Sequence, residues 1–195
     1  MNRVTPAEIK SLGDYELARD AFRKRVLEVK DVRRVRVGEH LTFLFENHDT
    51  VLYQIQEMLR VERITEPKAI AHEVATYNDL IAAPDELVAT LLVEYEEAGE
   101  RARMLRELVG LDRHVSLVVD GKPPCRAVFD EAQVSEQKIS SVHYVRFPLG
   151  GDRAGALRGG AGAAIVVDHP RMAARTELGA AQLAALGTDL VAVAG

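Results

Sequence analysis

The chain has 195 residues, with 25 Lys and Arg against 30 Asp and Glu, a net charge of −5, 47% apolar residues and one cysteine. These values exclude a disordered chain and a collagen-like fibre, and a single cysteine excludes an intrachain disulfide framework. The opening MNRVTPAEIK lacks the apolar core of a secretory signal, and AGAAIVV ahead of Asp168 falls far short of the roughly 20 residues a bilayer span needs. We therefore expect one cytoplasmic domain with no membrane segment. Its parts are a helical N-terminal segment (1–32), a core (33–175) and a C-terminal helix and tail (176–195).

Thr5-Pro6-Ala7-Glu8 reads as a helix start, with Thr5 as cap and Pro6 at the first helical position. Gly13-Asp14 reads as a break or restart. From there Tyr15, Ala18, Phe22, Val26 and Val29 recur at helical spacing toward the core. Residues 35–45 read as extended, turning at Gly38-Glu39-His40. The polar run 46–50 caps a helix with Leu52, Ile55 and Leu59 on its stripe. A second helix follows Pro67, with Ile70, Val74, Tyr77 and Ile81 as its stripe.

Residues 87–95 alternate as a strand apolar on both faces. A helix is expected over 96–109, ended by Gly110. Segments 115–119 and 127–129 read as a hairpin, 142–149 and 163–168 as further strands, and 177–190 as a last helix. The glycine-rich stretch between the last two strands is read as low-complexity, with Gly159-Gly160-Ala161-Gly162 as a flexible turn. The sum is an α+β domain with N-terminal helices and a mixed or mainly antiparallel sheet covered by helices.

Those glycines precede a strand and lack Gly-Lys-Ser/Thr, so they do not make a phosphate loop. His72-Glu73 begins like a zinc-protease motif, but Thr76 stands where the second His is required. Cys125 reads as an ordinary, partly buried thiol. Gln54, Glu57 and Arg60 form a polar row along one helix, beside its apolar stripe. His143 shares a strand face with Val145 and Phe147, and His169 shares one with Ile165 and Val167. Were those strands neighbours, His143 and His169 could meet a carboxylate, Glu57 or Glu94, and Glu57, His143 and His169 are the candidate ligands for iron, manganese or zinc. Arg60 or Arg146 would then clamp an anionic substrate.

Between Arg19 and Arg36 there are eight basic and three acidic residues, leaving −10 on the rest of the chain. Arg23, Arg25 and Arg34 are the candidates there for docking an acidic partner. Overall acidity and the scarcity of interleaved aromatics argue against nucleic acid.

FENHDTVLYQIQEMLRVERI, YNDLIA, ELVATLLVEYEE, SSVHYVRF and VDHP, in that order, resemble a bacterial family catalogued as domain of unknown function 3501. The resemblance runs from Arg33 to Pro170 and more loosely to the end. Among the positions that match are Glu46, Asn47, Gln54, Glu57, Arg60, Tyr77, Asn78, His143, Arg146 and His169. His48 stands where Arg is expected in relatives, which weakens any role for it as an essential ligand. The resemblance implies genomic neighbours that are rubrerythrin-like or iron–sulfur proteins related to heterodisulfide reductases. It therefore implies an accessory or binding role in an iron-dependent redox or peroxide-stress system. A small metal-dependent enzyme using the histidine–carboxylate site is the alternative.

Overall fold

The computed structural model describes residues 1–130, 133 and 137–190, so the expected tail over 191–195 lies outside the described residues. Thr5 caps only a 3-10 turn, Pro6–Glu8. The long helix α1 (Leu12–Asp31) starts afresh, its cap Ser11 accepting from the Asp14 N–H at 3.2 Å, so Gly13 lies inside it. A hairpin follows, β1 (Arg34–Val37) and β2 (Leu41–Phe45). Asn47 and Thr50 then cap each other's backbone N–H groups reciprocally, at 3.0 and 2.9 Å, to open α2 (His48–Glu62). Pro67 begins α3 (Pro67–Tyr77), and β3 (Glu86–Val93) and α4 (Ala98–Glu107) follow.

The remaining strands are β4 (Val115–Val119), β5 (Cys125–Arg126), β6 (Val128–Phe129), β7 (Val142–Pro148), β8 (Ala163–His169) and β9 (Met172–Glu177). Helices α5 (Gly150–Arg158) and α6 (Ala180–Asp189) complete the described elements. The fold class is α+β and every strand pairing is antiparallel, but the strands divide between two sheets. Sheet A runs β1-β2-β3-β7-β6 and sheet B runs β5-β4-β8-β9. The expected return strand at 127–129 is split. Cys125–Arg126 pairs with β4, whereas Val128–Phe129 crosses to pair with β7. At the crossing, the Ala127 N–H still bonds the Val115 carbonyl at 2.9 Å.

Period-two alternation puts Val35, Val37, Phe43, Phe45, Leu87, Leu91 and Phe147 on the inner face of sheet A, in one core with Val115, Leu117, Ile165 and Val167 of sheet B. Phe45 and Phe147 pack with ring centroids 6.0 Å apart. The outer face of sheet A is covered by a second apolar cluster, including Val51, Ile55 and Leu59 of α2 and Val74 of α3. At the open seam between the sheets, Gly38 (φ +61°) brings the hairpin close to Ala174, where an added Cβ would meet the alanine methyl at 3.4 Å.

Two elements depart from the sequence reading. The glycine-rich stretch contains α5, which buries Ala154 and Leu157 against the core. Gly187 of α6 allows close approach to the Leu157 carbonyl, 3.4 Å from where its Cβ would stand. Only 159–162 remains the expected turn and loop. Strand β9 escaped notice because Ala173, Ala174 and Arg175 carry no apolar alternation. It forms as the edge partner of β8.

Side-chain amides hold the N-terminal segment as a strand would. Asn78 accepts from the Val4 N–H and donates to its carbonyl, both at 2.9 Å. Gln56, buried in α2, does the same to Lys10 at 3.0 and 3.1 Å. Among the described residues, no helix is long and apolar enough to cross a membrane.

The two halves of the chain are tied by a bidentate Arg33–Asp189 pair, its side chains only 7% and 8% exposed. Burial raises the Asp189 carboxyl against the opposing pull of Arg33. Breaking one partner strands the other charge. Arg33→Met should therefore cost about 3–5 kcal/mol in urea unfolding, with Arg33→Met/Asp189→Leu recovering much of that loss.

Candidate functional site

The polar row on α2 is one functional candidate, and its members face different neighbours. Glu57 is clamped. Its Oε1 accepts from the Tyr15 hydroxyl and from Arg19 Nε, both at 2.7 Å, and its Oε2 from Arg19 Nη2 at 2.9 Å and Arg60 Nη2 at 3.2 Å. The bonds from Arg19, then those from Tyr15 and Arg60, hold its carboxyl down at about 2. Burial and the Glu57 carboxylate push the Tyr15 phenol well up. The cluster fastens α1 to α2, helped by edge-on contacts running Tyr15–Phe22–Tyr53. Arg60 Nε is buried without a hydrogen-bond partner. Gln54 instead lies near Tyr77 at the end of α3.

The two candidate histidine ligands lie on different sheets. His143, on β7 of sheet A, donates from Nε2 to the Ser140 carbonyl at 2.9 Å and packs edge-on to Phe129. Its Nδ1 is buried without a partner among the described residues, and burial lowers the imidazole pKa. His169 ends β8 in sheet B. Its Nδ1 accepts from the Arg171 N–H at 3.2 Å, so Nε2 carries the proton and donates to the Val109 carbonyl, also at 3.2 Å. Glu57 is spent on α1. The condition for a site of Glu57, His143 and His169, that the two histidine strands be neighbours, is therefore not met. Among the described residues, no group of three or more His, Cys, Asp or Glu is placed to hold a metal ion.

Arg146 is also engaged internally. One terminal nitrogen donates to Glu86 at 3.0 Å and the other to the Asp79 carbonyl, bracing the end of α3 against β3. Cys125 is buried, its thiol directed at the Pro148 carbonyl, and burial raises its pKa. At His72, the Thr76 hydroxyl caps the histidine's own carbonyl at 3.0 Å.

One constellation had no sequence signal. His114 Nδ1 lies 2.8 Å from Asp168 Oδ1, and the His114 ring meets His169 edge-on at 5.1 Å. The two residues are 54 apart in sequence, and only the β4–β8 pairing joins them. The basic segment divides into two sets. Arg19 and Arg33 are structural, Arg34 is 3.7 Å from Asp31, Lys30 lies over the Tyr53 ring and Arg25 over Phe22. Arg23, Lys24 and Arg36 are exposed, with no carboxylate in ion-pair range among the described residues. Beside them Leu17 is 91% exposed on the outer face of α1.

The family model described as protein of unknown function (DUF3501) matches residues 3–190. The chain is similar to a solved structure described as a novel protein of unknown function from Burkholderia pseudomallei K96243. The identity is 35% and the TM-score 0.92, over 97% of this chain and 100% of that one. No curated protein matches.

Two titrations follow from this geometry. Glu57 is depressed from 4.5 to about 2, so the stability it contributes is present above pH 4.5 and is lost as pH falls toward 2. Glu57→Gln should cost about 1–2 kcal/mol at neutral pH, allowing for solvent screening, and should flatten the acid limb of a stability–pH curve. His143 is depressed from 6.5, so the unfolded chain binds its proton first and stability falls as pH drops below 6.5. His143→Leu should remove that part of the slope in unfolding measured between pH 7 and 5.

Proposed function

We propose, from the premise that this chain belongs to the DUF3501 family over residues 3–190, that it is an accessory binding protein of a bacterial iron-dependent redox or peroxide-stress system, working in the cytoplasm. The observation that carries this reading is the presentation of α1. Of its 20 residues only Tyr15 and Val26 are buried. The helix is held along one side by the Glu57 clamp and turns Arg23, Lys24 and Leu17 outward. Arg36 on the edge strand β1 extends the charge.

Cations left without carboxylate partners, beside a bare leucine, suit an acidic protein surface with an apolar spot. They steer encounter and fix orientation more than they add affinity. The partner class is a rubrerythrin-like or iron–sulfur oxidoreductase. The chain's single cysteine cannot carry an iron–sulfur cluster by itself, so electrons would reside on the partner.

The test is isothermal titration of the purified chain against the rubrerythrin-like and iron–sulfur proteins encoded beside a family member. A complex should form at low salt and weaken steeply as salt rises. Reversing Arg23, Lys24 and Arg36 to Glu should weaken it about 10- to 100-fold with helicity unchanged. Absence of a complex at low salt, or one indifferent to salt and to the reversals, overturns the proposal.

A further inference from the structure

Between the C-terminal end of α3 and the outer face of the β6–β7 edge lies a half-enclosed groove of about 550 Å³. That volume is within the range of small-molecule sites, and its lining is more apolar than polar, as such sites are. Leu80 and Val128 supply aliphatic walls, Val128 being 52% exposed in it. Tyr77 and Tyr144 bring two aromatic rings to the same space. Burial, with Tyr144 and the nearby Glu73 carboxylate, raises the Tyr77 phenol above its usual range.

The charges at the mouth are one-sided. Glu73 and Asp79 line it, and neither is in an ion pair among the described residues. The basic residue of the groove is Arg146, and its charge is matched by Glu86 at 3.0 Å. Both its terminal nitrogens are committed, to Glu86 and to the Asp79 carbonyl. Aromatic rings beside the Glu73 and Asp79 carboxylates attract a cation and disfavour an anion.

We propose that this groove is a binding site for a small organic cation with an apolar body, an amine or amidinium on an aromatic or aliphatic frame. The apolar part lies against Leu80 and Val128, and the cation sits over the tyrosine rings within reach of Glu73 and Asp79. This site is separate from the docking face of α1 and does not depend on it.

Phenethylamine and phenylacetate test the idea, since they share a ring and a chain and differ in the sign of their charge. Calorimetry and NMR titration of the full chain should show phenethylamine binding at least about tenfold tighter than phenylacetate. Shifts should be confined to Tyr77, Leu80, Val128 and Tyr144. Glu73→Gln/Asp79→Asn, which alters only the mouth, should weaken the amine about tenfold and leave the fold intact. Tyr144→Leu should abolish binding. If Tyr144→Leu fails to fold, the mouth variant decides alone. Equal binding of the two probes, shifts centred elsewhere, indifference to the mouth variant, or no binding of the amine at millimolar concentration overturns the proposal.

Discussion

Strand β2 of sheet A is buried on both faces, and much of the molecule's polar architecture answers that constraint. All five residues of β2 are buried. A strand with no solvent face must satisfy any polar side chain from within. Glu46 accepts from the hydroxyls of Thr50 and Thr90, at 2.5 and 2.6 Å, joining α2 to β3, and the Thr42 hydroxyl donates to Glu94 at 2.6 Å. A slip of one residue would drive Thr42 into the inter-sheet core and expel Phe43 and Phe45. The hydroxyl–carboxylate bonds therefore specify register as well as offsetting desolvation.

The attachment of α1 follows a different logic. With only two buried residues it draws little from apolar burial. The aromatic contacts and the Tyr15–Glu57–Arg19 bonds do more of the fastening. Structural and exposed charge are thus sorted on one helix. The arginine facing α2 is neutralised at a carboxylate, and those facing away are not. In hydrogen exchange such an element belongs to the weakly held end of the molecule, whereas β2 and β3 belong to its most protected part.

What was legible in the sequence was what repeats locally. The stripes of α2 and α3 and the alternation of β3, β7 and β8 reported which residues face a core, because burial imposes the helical or strand period on side-chain type. Helix α5 was hidden because its glycines hide the pattern and its stability comes from close approach to α6. The division into two sheets depended on a single crossing at Ala127. At the candidate sites, Glu57 and Arg60 were visible as a row on one helix, whereas Tyr15 and Arg19 join them from 42 and 38 residues away. His143 and His169 looked alike in sequence, each on an apolar strand face, yet one has an orphaned nitrogen and the other has both nitrogens satisfied. Only pairing between strands distinguishes such cases.

The amide grips on the N-terminal segment have a consequence of another kind. Asn78 and Gln56 work because an amide offers one donor and one acceptor at the spacing of a backbone unit. A carboxylate offers two acceptors. Spontaneous hydrolysis of the Asn78 side chain would turn an oxygen toward the Val4 carbonyl, where a nitrogen now donates, and set two acceptors against each other in a buried place. The hold on the first residues thus has a chemical lifetime alongside its thermodynamic strength. An ageing molecule would lose that segment while its two sheets stayed folded.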